Sequence, residues 1–172
     1  MNHSSNTNAG GWKGCDLRYD VLGSTNTNDG DATATTATNP VANTLMAALP
    51  SDLRAVMQPM TIYTDNTGGG SDNASYVTKT TDYLPLLAEY EIFGTRSYAN
   101  SAEKNYQAQY AYYSAGNSKV KYRHSATSSA AWWWERSPYC NNGTTFCDVG
   151  ADGTASADGA RYSDGVAPAF RV

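Results

Sequence analysis

Apolar positions along this chain fall into short groups whose spacing switches between the helical and the extended period. Leu17, Val21 and Leu22 recur at helical spacing between Trp12 and Leu22, with Gly23 placed to end a short helix. Trp12 and Leu17 belong to its inward face. Val41, Leu45 and Ala48/Leu49 repeat that spacing behind Asn39-Pro40, a cap followed by proline in the first turn. Pro50 stops this helix, and Ser51 can cap a shorter one with Leu53, Val56 and Met57 inward before Pro59. The period then becomes two. Residues 60–64 and 76–80 alternate as the strands of a hairpin, joined by a polar loop that contains Gly68-Gly69-Gly70. A glycine triplet can also cradle phosphate, but here it lacks the Lys-Ser/Thr pair and the helix that should follow.

Tyr83 to Leu87 is an apolar segment interrupted by Pro85, which implies an edge or a bulge. Glu89 to Phe93 forms a turn or short helix ending at Gly94. Asn100 to Tyr113 carries the strongest helical pattern: Asn100 as cap, Glu103 three residues on, and Tyr106, Tyr110 and Tyr113 as an aromatic stripe facing the core. Beyond Gly116, Lys119, Lys121 and Arg123 alternate with Val120, Tyr122 and His124, a half-exposed strand with a solvated basic face. Residues 24–38 are Thr/Asn/Asp/Ala-rich and predict a surface excursion with little to bury.

The C-terminal stretch from Ala131 to Val172 has a different organisation. Trp132-Trp133-Trp134 opens it as a core strand, and Val166, Phe170 and Val172 close it as another. Successive strand side chains point to opposite faces, so burial of Trp132 and Trp134 turns Trp133 the other way, under a loop or out to solvent. Arg136 is placed to hold loop carbonyls or a carboxylate. Between the two ends, residues 139–164 are mostly Asn, Asp, Ser, Thr, Gly, Ala and Tyr, the mixture of an adaptable binding surface. A rigid frame around such an insert predicts binding, not catalysis.

Composition narrows the partners. With 172 residues the chain makes a single domain, 1–172, with a real core. A net charge of −4 and a pI of about 5.0 disfavour nucleic acid. No apolar run reaches bilayer-spanning length, and the opening residues have no signal-peptide character. The polar Asn/Ser/Thr-rich start resembles the middle of a longer chain; the other reading is a protein cytoplasmic at synthesis, as virion proteins are. Three cysteines, Cys15, Cys140 and Cys147, make no disulfide framework and no zinc spacing, so free thiols are expected, although Cys140 and Cys147 could bridge a loop.

Several motifs carry a family resemblance: Trp133-Trp134-Glu135-Arg136-Ser137-Pro138, Phe146-Cys147-Asp148-Val149, Asp152-Gly153-Thr154-Ala155, and the terminal Gly165-Val166-Ala167-Pro168-Ala169-Phe170-Arg171-Val172. Together they resemble a group of bacterial and prophage domains similar to the variable proteins of diversity-generating retroelements. The likeness extends back through residues 82–94, 98–103 and 115–122 and so covers most of the chain. Leu often occupies the Glu135 position in that group. The resemblance implies an α+β, C-type-lectin-like fold of the formylglycine-generating-enzyme type, with short helices packed around small antiparallel sheets. It also implies a hypervariable C-terminal region, about 131–172, rewritten at adenines by an error-prone reverse transcriptase. The expected role is recognition of a protein or glycan on a cell surface, as in phage receptor binding or bacterial surface display. The oligomeric state is not legible.

On this reading the first contact residues are Trp133, Tyr139, Cys140, Asn141, Asn142 and Thr144. Thr145, Asp148, Gly150, Ala151, Ser156 and Ala157 follow, and Asp158, Ala160, Arg161, Tyr162, Ser163 and Asp164 complete the set. Two other classes compete: a structural virion protein and an enzyme of the formylglycine-generating type. The resemblance brings the enzyme in through a reactive cysteine pair, but Tyr139, Asn141, Phe146 and Asp148 beside Cys140 and Cys147 supply no cation to activate a thiol. No cofactor is expected. Calcium is the one ion weighed, because Asp148, Asp152, Asp158 and Asp164 cluster in sequence and offer hard oxygens, although they lack an Asp-x-Asp-x-Asp-Gly pattern.

Overall fold

A computed structural model describes residues 1–172. It is a mixed α+β domain of five short α-helices and seven strands in three small antiparallel sheets. No helix is long and apolar enough to cross a membrane.

The N-terminal half supplies most of the main core. A π-helical turn at Leu17–Val21 buries Leu17 and Leu22 while Val21 faces out, and Trp12 is fully enclosed. Helix α1 (Ala34–Thr38) lies inside the stretch expected to be an excursion. It forms because the Thr36 hydroxyl accepts the Thr33 N–H (3.0 Å) and because Thr36 and Ala37 find the core. Helix α2 (Leu45–Ala48) begins at Thr44, whose hydroxyl accepts from the Ala47 N–H (3.3 Å), so Asn39-Pro40 is not the start. Gly23 explains that choice: it sits at φ +65°, and a Cβ there would lie 2.3 Å from the Thr44 hydroxyl. Helix α3 (Ser51–Val56) leads into Met57, which is buried, whereas Val56 is exposed.

Strands β1 (Met60–Asp65) and β2 (Val77–Asp82) form the expected hairpin, registered from Met60↔Asp82 to Asp65↔Val77. Tyr83, Leu84 and Leu86 are buried beyond it, and α4 (Glu89–Phe93) ends at Gly94 in the left-handed region, φ +70°. The long tyrosine helix does not form. A 3-10 turn at Ser101–Asn105 is capped by Asn100, the chain then extends, and α5 (Ala111–Ser114) is a single turn. Tertiary contacts outbid helix propensity there. The Gln107 side chain reaches the Tyr63 carbonyl, the Tyr110 N–H reaches the Glu91 carbonyl, and Tyr106 stacks on Tyr63 at 4.3 Å. Only Tyr113 of the stripe is buried.

The last third holds a hairpin, β3 (Lys121–Arg123) with β4 (Ala126–Ala131), and a three-stranded sheet ordered β5 (Trp133–Pro138), β6 (Thr145–Val149), β7 (Ala155–Gly159). This sheet is covered on both faces. Trp134 and Phe146 enter the main core with Trp12, Leu22, Met46 and Leu84. Trp133 and Val149 enter a second, smaller core with Ile92 and Tyr113. Alternation along β5 therefore buries both indoles, and Trp132, just before the strand, is the exposed one at 45%. The C-terminal tail is not a core strand. Val166, Phe170 and Val172 are 39%, 49% and 70% exposed, because no strand ladder pairs the tail; it is held by isolated contacts, the bridges of Trp133 with Gly165 and Gln58 with Arg171 and the Ala169 N–H on the Pro85 carbonyl.

Candidate binding face

Buried carboxylates and guanidiniums brace the frame that presents the C-terminal loops. Arg136 makes a bidentate pair with Glu91 (2.6 and 2.7 Å) and also donates to the Leu86 carbonyl and the Thr64 hydroxyl. Arg18 and Asp82 pair at 2.6 Å in full burial, and Asp82 also accepts from Ser24, Thr80 and the Trp12 indole. Glu89 accepts the N–H groups of Ser97, Tyr98 and Ala99, and Glu103 those of Asp65 and the Ser137 hydroxyl. Such networks specify one arrangement when every member is satisfied.

Asn8 fastens the loop after β5. Its side-chain amide donates to the carbonyls of Tyr139 (3.2 Å), Asn142 (2.8 Å) and Thr145 (2.7 Å), while its oxygen accepts from the Gly69 N–H. The glycine triplet is thus a docking surface for backbone. Gly68 lies at φ +63° with the Asn8 carbonyl 1.9 Å from where a Cβ would be, and Gly70 packs against Gly143. No sequence pattern pointed to Asn8, whose importance comes entirely from partners more than 60 residues away.

The predicted contact set divides by burial. Asn141, Asn142, Thr144, Arg161, Tyr162 and Ser163 are exposed, and Tyr139, Thr145, Ala151, Ser156, Ala157, Asp158 and Asp164 are half-buried. Trp133, Cys140, Asp148, Gly150 and Ala160 are buried, which corrects their assignment as surface contacts. Trp133 faces the second core, with its indole N–H on the Lys119 carbonyl at 3.0 Å. Asp148 is on the central strand of a sheet packed on both faces, and Ala160 completes the main core.

The hairpin of β6 and β7 brings the two ends of the insert together. Thr145 pairs with Gly159, the Ala160 N–H donates to the Thr144 carbonyl, and the Tyr139 N–H donates to that of Thr145. Tyr139 packs edge-on against Tyr98, and the Tyr162 ring lies over Gly159. Gly150–Thr154, with Gly153 at φ +86°, makes the reversal at the opposite end, beside Val120. Five-residue strands separate the two ends by roughly 16 Å, so Ala151 belongs to a different patch from Tyr139 and Tyr162. Ser163 and Asp164 instead help line a cleft of about 490 Å³ against Lys121–Ser125 and the exposed Trp132.

Thiol chemistry finds no support in this geometry. Cys15, Cys140 and Cys147 are free and buried. Burial pushes Cys15 up to about 12, and it raises Cys140 and Cys147 too, with Asp72 adding to the first and Glu135 to the second. All three stay protonated near neutrality, so none is poised as a nucleophile.

These features define an α+β domain whose C-terminal sheet, with β5 and β6 buried on both faces, carries polar, aromatic-flanked loops at its ends. Residues 1–172 match the family model described as "Domain of unknown function (DUF6273)", and the chain belongs to that family. Neither the curated proteins nor the solved structures contain a match.

Proposed function

We propose that this chain is a non-catalytic ligand-binding domain with a C-type-lectin-like fold, and that its C-terminal loops recognise a protein or glycan on a cell surface. The observation that carries the reading is the contrast within one sheet. Strands β5 and β6 are buried on both faces and β7 is half-buried, while Asn141, Asn142, Thr144, Arg161, Tyr162 and Ser163 stand exposed at the borders of the sheet without supporting a core. Surfaces of this composition bind through a few aromatic or Arg anchors amid small adaptable residues. Tyr139, Arg161 and Tyr162 are the anchors here. The setting that fits is receptor binding by a phage or display on a bacterial surface, with diversity supplied by a retroelement.

Randomising Asn141, Asn142, Arg161, Tyr162 and Ser163 in a display library tests this. The folded fraction should survive, since exposed substitutions cost within about ±0.5 kcal/mol each. Binders to immobilised bacterial surface proteins or glycans should be recovered and should lose roughly 2 kcal/mol or more on Tyr162→Ala. Widespread unfolding of the library, or binding that maps to the Lys121–Arg123 strand, refutes the proposal.

A further inference from the structure

Three aspartates from different parts of the C-terminal sheet converge on one point. Asp148 sits on β6, Asp158 on β7 and Asp164 on the segment that follows, and one carboxylate oxygen of each lies within 4.8 Å of the others. Asp148 and Asp158 share a face of the sheet, because Asp148 pairs with Ser156 and Phe146 with Asp158. Asp164 is held by its neighbour: the Gly165 N–H donates to the Trp132 carbonyl at 2.8 Å, and the Gly165 carbonyl accepts from Trp134 at 2.9 Å.

As a purely protein arrangement this cluster is costly. Asp148 is fully buried and neither of its carboxylate oxygens has a hydrogen-bond partner; Oδ2 of Asp164 has none either. The other buried carboxylates named above, Asp82, Glu89, Glu91 and Glu103, are all served by donors, so these orphaned oxygens point to a missing positive partner. Glu135 is the other exception, but it has no companion carboxylates at ligand distance. Burial, then Asp164 and Asp158, push Asp148 up to about 7. No cation of the chain relieves the crowding. Lys121 and Arg123 line the same cleft as Asp164 without pairing with it, and the Met1 amino group acts on Asp164 only at a distance. Ser156, across from Asp148, eases its shift without meeting hydrogen-bond geometry.

We propose that Asp148, Asp158 and Asp164 bind a hard divalent cation of the calcium type. Three carboxylate oxygens that all lie within 4.8 Å of one another can converge on a single ion with bonds of ~2.4 Å after small side-chain adjustments. Three carboxylates suit an oxygen-seeking ion and not a thiolate- or imidazole-seeking one. Asp164 also lines the cleft, which offers a route in and room for water ligands. Capture would tie β6 and β7 to the tail and would pin Arg161–Ser163, which immediately precede Asp164. The other acidic group, His3, Asp16 and Asp20, differs: His3 already pairs with Asp16 at 3.0 Å. Cation capture by the three aspartates does not depend on which ligand the outer face takes.

The test uses the full chain stripped with EDTA and titrated with CaCl2, with terbium luminescence excited through tryptophan as a second readout, since Trp134 stands opposite Asp148. Saturable single-site binding and a rise in Tm with calcium are expected. Asp158→Asn and Asp164→Asn should each weaken binding at least tenfold, and Asp148→Asn should abolish the response while leaving the metal-free Tm unchanged or higher. Asp16→Asn should change nothing. The two half-buried positions carry the test if Asp148→Asn fails to fold. Absence of any saturable signal up to about 10 mM calcium, beyond the range of the weakest calcium modules, overturns the proposal. So does a response lost in Asp16→Asn and kept in Asp164→Asn.

Discussion

Replacing Glu135 with Leu should stabilise this protein. The carboxyl group is fully buried on β5, and neither oxygen finds a donor. Burial, followed by the negative charges of Glu89, Asp148 and Glu103, raises its pKa well above the ordinary carboxylate value. A buried polar group without a partner costs ~1–3 kcal/mol, and Leu removes that cost while adding apolar burial. At ~2–4 °C per kcal/mol for a domain of this size, the Tm should rise by about 2–12 °C at pH 7.

The pH dependence separates charge from packing. The folded pKa of Glu135 lies above its unfolded value of ~4.3, so the native state holds more protons across that interval. Its contribution is fully present below the unfolded pKa and is lost as pH rises through the folded one. Glu103 and Asp148, both pushed up to about 7, act with the same sign. Wild type should therefore be more stable at pH 5 than at pH 8, and the gain from Glu135→Leu should be larger at pH 8. Glu135→Gln should remove the charge-dependent part but gain less, because its amide remains unpartnered. Calorimetry at both pH values decides the matter. A Glu135→Leu protein that melts below wild type at pH 8 would show that Glu135 has a partner and would refute the reasoning.

Asn8→Ala should cost about 4 kcal/mol, since three loop carbonyls and the Gly69 N–H each lose one hydrogen bond worth ~1 kcal/mol; urea unfolding measures the loss, and hydrogen exchange should quicken at Gly69. Trp134→Ala should cost ~3–5 kcal/mol as a core truncation. Phe170→Ala, at a half-exposed position, should cost only about 1 kcal/mol, and equal losses on thermal melts would place the tail in the core after all.

Local backbone chemistry was legible in the sequence. The alternation of Met60–Thr64 and Tyr76–Thr80 marked the first hairpin, Gly94 ended α4, Asp152-Gly153 made its reversal, and Asn100 capped its turn. Each is a short-range effect of side-chain period, allowed dihedrals or a reachable hydrogen bond. Arg136 could be expected to find a carboxylate, but not which one. Only the tertiary structure decided where water lies. Trp133 is buried because a second core with Ile92 and Tyr113 covers the far face of the sheet, and no periodicity within β5 reveals that cover. Phe170 has an apolar pattern but lacks a ladder to hold it inward. The tyrosine stripe broke after Tyr106 because Tyr63 and Glu91, distant in sequence, offered its residues better partners than the next helical turn. Asp148 and Asp164 met through strand pairing and the Gly165 bridge, contacts between residues whose proximity depends on the whole chain closing.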